Sequence, residues 1–113
     1  MELQVKLLEE NSVQRFIIVG EIDAFTAPIL KERLASIEID HGIQAELNLT
    51  DVSYMDSTGL GVFVGFYKTV RENGGYLKIT GLNSRLKRLF EITGLDEIID
   101  VEMGKGGTSD ATL

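Results

Sequence analysis

The sequence predicts an α/β fold: a mixed sheet of four to five strands packed with three to four helices and opening with a β-hairpin. Three observations carry this expectation. Segments with strand periodicity alternate with segments of helical periodicity, which favours parallel strands joined by right-handed crossovers. Two strand signals stand together at the start, separated only by turn residues. The chain has 113 residues, room for one domain and one core.

The elements follow in order. Leu3-Gln4-Val5-Lys6-Leu7 alternates apolar and polar, the mark of a strand with one face in water. Glu10-Asn11-Ser12 supplies the turn, and Arg15-Phe16-Ile17-Ile18-Val19-Gly20 is a continuous apolar run that predicts a second strand covered on both faces. Thr26 then stands as a candidate N-cap with Pro28 near the first helical position. Ile29, Leu30, Leu34 and Ile37 recur at helical spacing, and the helix should stop near His41 and Gly42. Ala45 to Leu49 alternates again, Leu60 to Val70 carries a broad apolar stripe, and Arg71-Glu72-Asn73-Gly74-Gly75 ends it. Tyr76 to Thr80 predicts a strand. Leu86, Leu89, Phe90 and Ile92 predict a helix closed by Gly94, and Ile98-Ile99-Asp100-Val101 a last short strand. The domain is expected over residues 1–103. Residues 104–113 begin with small polar residues and are expected to form a flexible tail.

Composition narrows the function. Eighteen acidic against eleven basic residues give a net charge of −7, which opposes attraction to phosphate backbones and anionic lipid, so neither nucleic acid nor membrane is an expected partner. The chain contains no cysteine, which removes disulfides, thiolate nucleophiles and cysteine-based metal sites. No apolar run approaches the roughly 20 residues of a membrane span, and the start lacks the basic character of a secretory signal, so a cytoplasmic protein is expected.

The densest polar cluster is Asp51-Val52-Ser53-Tyr54-Met55-Asp56-Ser57-Thr58-Gly59-Leu60-Gly61, placed between a predicted strand and a predicted helix. Open α/β sheets bind their ligands beyond the carboxyl ends of their strands, where the next helix also presents unpaired N–H groups. Helix capping by Asp56, Ser57 or Thr58 explains part of the cluster. It needs one oxygen, whereas three consecutive polar side chains are present, followed by Gly59 and Gly61, each of which weakens a helix by about 1 kcal/mol relative to alanine. Close approach by another molecule and tight helix-on-sheet packing both account for glycine here. Catalysis is not supported. The only histidine lies in a different predicted loop, and Met-Asp-Ser-Thr-Gly is not a Gly-x-Ser-x-Gly elbow. There is no Walker motif, no Gly-x-Gly-x-x-Gly after a strand and no metal-ligand spacing. Glu21 and Asp23 imitate the acidic pair of a receiver domain only weakly, and Lys78 lies within its strand. The two acids read as a solvated strand end or as part of a partner surface, and Arg85, Lys87 and Arg88 as a solvated helix face.

Three stretches, Gly20-Glu21-Ile22-Asp23, Asp51 through Val62 and Leu86-Lys87-Arg88-Leu89-Phe90-Glu91-Ile92-Thr93-Gly94-Leu95, resemble in order and spacing the STAS-domain anti-anti-sigma factors. The likeness covers roughly Met1 to Val101 and points to the sigma-B branch, which serves the general stress response of Gram-positive bacteria. It implies a STAS-like fold and a regulator without catalytic activity or cofactor. The unphosphorylated form would bind an anti-sigma factor that is itself a serine kinase and so release the sigma factor. Phosphorylation would fall on Ser57, with Thr58 the lesser acceptor, and a PP2C-type phosphatase would restore the protein. Asp56, Ser57, Thr58 and Gly59 at the start of the following helix are the candidate partner contacts, with Glu21 and Asp23 a weaker second patch. The alternative is a STAS module that binds a small ligand or nucleotide, or a subunit of a sensory assembly, using the same crevice.

Overall fold

A computed structural model describes residues 3–36 and 42–104. The hairpin consists of β1 (Leu3–Glu10) and β2 (Val13–Ile22). Asn11 and Ser12 connect them with φ of 51° and 69°, the two-residue turn with positive φ at both positions that matches the twist of the flanking strands. Then follow α1 (Ala27–Ala35), β3 (Gln44–Met55), α2 (Ser57–Glu72), β4 (Tyr76–Leu82), α3 (Ser84–Ile92), a 3-10 turn (Leu95–Glu97) and β5 (Asp100–Met103). The five strands lie in sequence order. The β1-β2 pair is antiparallel and the other three pairs are parallel.

The expected mixed sheet with an opening hairpin is therefore present, but β2 departs from its expected two-sided burial. Phe16 and Ile18 are buried on one face, while Ile17 is only half-buried and Val19 is exposed. Register explains this. Phe16 pairs with Leu47 and Leu47 with Ile79, so one face of the sheet forms the core against Leu30, Leu34, Leu60, Phe63, Phe66, Leu86 and Phe90 of the helices. The other face is mainly polar: Arg15 of β2 pairs with Glu46 of β3 at 3.3 Å, and Lys78 of β4 meets Glu102 of β5 at 2.7 Å, with Ile17 and Val19 among these polar residues. A continuous apolar run thus belongs to a strand with one buried face and one side of mixed character.

Other boundaries also shift. The structure ends α1 at Ala35 and leaves Ile29 half exposed; Ile37 and His41 lie outside the described residues. Ile92 is 71% exposed at the end of α3, so it does not belong to that helix's buried stripe. Gly94 stops α3 in the left-handed region, at φ 75°, as a residue without Cβ does most easily. The last strand starts two residues later than expected, at Asp100. Residues 105–113, most of the expected tail, lie outside the described residues.

Candidate functional site

The largest shift defines the site. β3 does not end near Leu49 but continues to Met55, so the polar cluster is mostly strand and only Asp56 separates β3 from α2. Pairing with β2 holds this extension: Ile22 pairs with Met55, and the Asp56 N–H donates to the Ile22 carbonyl at 3.2 Å. The carboxyl ends of two parallel strands are thereby joined, and the β2-α1 and β3-α2 corners lie side by side.

At the β3-α2 corner the cap is Asp56. Its backbone is extended, and its Oδ1 accepts the Thr58 N–H at 2.9 Å. Ser57, the first helical residue, is exposed, and its hydroxyl makes no hydrogen bond among the described residues. Thr58 is exposed beside it. Gly59 is buried: a Cβ there would stand 2.5 Å from Ile22 Cγ2 and 2.9 Å from Met55 Cγ, so its missing side chain serves helix-on-sheet packing. Gly61 is the opposite case, exposed and with nothing within 4 Å of a would-be Cβ. Packing therefore explains Gly59 and not Gly61.

At the β2-α1 corner Asp23 is turned inward. Its Oδ1 accepts the Phe25 N–H at 2.9 Å and the Thr26 N–H at 3.0 Å. Thr26 occupies the expected cap position but makes no side-chain cap bond. Its hydroxyl accepts the Asp23 N–H at 2.9 Å and donates to the Glu21 carbonyl at 2.7 Å. The Thr26 N–H holds the Asp23 carboxyl below the usual carboxylate range, with smaller help from the Phe25 N–H and the Thr26 hydroxyl against an opposing cost of burial. Asp23 is thus committed to its own loop, whereas Glu21 remains half-buried at the strand end.

Sequence reasoning missed what lies between the corners. A groove of about 650 Å³ runs between α1 and α2, lined at one end by Ala24 and Thr58 and farther along by Lys31, Gly61 and Gly65. Gly65, four residues after Gly61 in a helical stripe, was its legible sign. Phe25, beside Ala24, is 80% exposed. Among the described residues no group of three or more His, Asp or Glu is placed to hold a metal ion, and no helix is long and apolar enough to cross a membrane. Lys78 sits on the polar sheet face with Glu102, away from the two corners, which removes the receiver-domain arrangement.

The sequence model of the STAS domain matches residues 4–106. This chain belongs to the STAS family. The STAS domain is 46% identical over 106 residues to a protein of Listeria monocytogenes, covering 94% of this chain and 92% of that one. It is 51% identical over 98 residues to one of Bacillus subtilis, covering 87% and 88%. Both relatives are named anti-sigma-B factor antagonist. In fold, the STAS domain matches the crystal structure of an anti-sigma factor antagonist from Mycobacterium paratuberculosis with a TM-score of 0.82 at 21% identity, covering 97% of this chain and 93% of that one.

Proposed function

We propose that this STAS domain is an anti-anti-sigma factor whose unphosphorylated form binds an anti-sigma factor serine kinase, releasing the sigma factor of the general stress response. Phosphorylation of Ser57 switches it off, and a PP2C-type phosphatase restores it. The observation that carries the reading is the division of labour at the start of α2. Asp56 caps the helix, so the exposed Ser57 hydroxyl is left without a structural task. The names of the relatives at 46% and 51% identity support the partner class.

In the transfer, Ser57 Oγ attacks the γ-phosphorus of ATP. Its proton passes to a base of the kinase, the bond from the γ-phosphorus to the bridging oxygen breaks, and ADP leaves. The kinase brings ATP and magnesium; this chain supplies the acceptor. The new group adds about −1.5 to −2 charge and three acceptor oxygens. In the free domain the α2 N-terminus accommodates that charge, with a gain of roughly 0.3 to 1 kcal/mol. In the complex the dianion is desolvated beside Asp56 and the partner's own acids or nucleotide phosphates. Like charges across an interface cost several kcal/mol, and about 3 kcal/mol already lowers affinity roughly a hundredfold.

Incubation with the host's anti-sigma kinase and ATP should add about 80 daltons, the mass of one phosphoryl group, to the peptide carrying Ser57. Ser57→Ala should abolish the increase and keep binding. Ser57→Asp should weaken binding by at least tenfold with little change in melting temperature. No mass increase, together with stable nucleotide binding by the purified domain, would favour the ligand-binding alternative. The groove gives that alternative a place, but with Lys31 as the one charged side chain among its described lining residues it offers little to a nucleotide's phosphates.

A further inference from the structure

Among the described residues no side chain fills the space between α1 and α2. A Cβ added at Gly61 or Gly65 would meet nothing within 4 Å, so packing leaves room for side chains at both positions, although glycine is a poor residue for a helix interior. Next to Ala24, which lines one end of the groove, Phe25 is 80% exposed on a loop tied together by the hydrogen bonds of Asp23 and Thr26. Thr58 lines the same groove, so a protein that reaches the adjacent Ser57 arrives at the end of the groove that Ala24 and Thr58 share.

We propose that the groove is the second half of the docking surface that begins at Ser57. It receives an apolar segment of the anti-sigma factor that carries a carboxylate to meet Lys31, while Phe25 anchors in an apolar pocket of that partner. The inference rests on the reading of Ser57 given above and adds the surface that supplies affinity. A large aromatic ring on a preorganised loop gives contact area at little ordering cost, the character of an interface hot spot. The bare α2 backbone at Gly61 and Gly65 admits close approach. Lys31 selects an anionic group, and the chain's net charge of −7 disfavours a second copy or an anionic lipid surface as the occupant.

The test is calorimetric titration of the wild-type domain, Phe25→Ala, Gly65→Leu and Lys31→Glu with the host's purified anti-sigma factor, alongside thermal melts. Leu8→Ala, on the polar sheet face, is the control. Phe25→Ala and Gly65→Leu should each weaken binding about tenfold or more and Lys31→Glu several-fold. Melting temperatures should be unchanged, or raised for Gly65→Leu, and the control should bind within about twofold of wild type. Wild-type binding with all three variants within about twofold of it overturns the groove and leaves the Ser57 reading standing. If the wild-type domain itself does not bind, the Ser57 reading fails and this one falls with it.

Discussion

Asp56 and Ser57 are neighbours with separate tasks, and their substitutions should separate in the same way. Asp56→Ala removes an N-cap and should lower stability by about 1 kcal/mol in urea unfolding, whereas Asp56→Asn, which keeps the acceptor, should be nearly neutral. Asp23 carries the pH dependence at this scale. Its folded pKa is depressed, chiefly by the Thr26 N–H, so its contribution is fully present above the unfolded value of about 3.9 and is lost as pH falls through the lower folded value. Asp23→Asn should be less stable than wild type at pH 7, and the gap should close as the pH drops below 4. The side chains of both corners could be named from the sequence. Which one faced inward could not, because Asp23, Thr26, Asp56 and Ser57 are all good capping residues. Only the hydrogen bonds of the folded corner distinguish the Asp23 carboxylate, turned onto Phe25 and Thr26, from the Ser57 hydroxyl, turned to solvent.

Helix α2 contains glycines of opposite kinds. Gly59→Ala would place a methyl group 2.5 Å from Ile22 Cγ2, and such overpacking should cost about 1 to 3 kcal/mol. Gly65→Ala meets nothing and should stabilise the domain by roughly 0.5 to 1 kcal/mol. Chemical denaturation of the two single variants measures the contrast in sign. The order and type of the elements were legible because period-two and helical stripes alternate cleanly along the chain. Their ends were less so. The stretch Asp51-Val52-Ser53-Tyr54 reads as a polar loop in isolation and becomes strand because β2 extends beside it as far as Ile22 and Met55, a partnership between residues more than thirty positions apart.

At the scale of the whole molecule, one hydrophobic cluster joins the strands to all three helices. Leu47 stands at its centre in the middle strand, fully buried. Leu47→Ala should cost about 2 to 5 kcal/mol, and unfolding followed by far-UV circular dichroism and by tyrosine fluorescence should remain a single coincident transition. The sequence by itself determined the α/β class, the opening hairpin, the absence of cysteine chemistry and the position of the serine-bearing corner, because periodicity, composition and local turn chemistry are properties of neighbours along the chain. The tertiary structure alone decided that the three described helices pack on one side of the sheet, that Asp56 and not Ser57 caps the start of α2, and that α1 and α2 leave a groove lined at one end by Ala24 and Thr58, with the exposed Phe25 beside Ala24 in the chain. Those outcomes depend on strand register and on the distance between helices, and both are set by residues remote in sequence competing for one core.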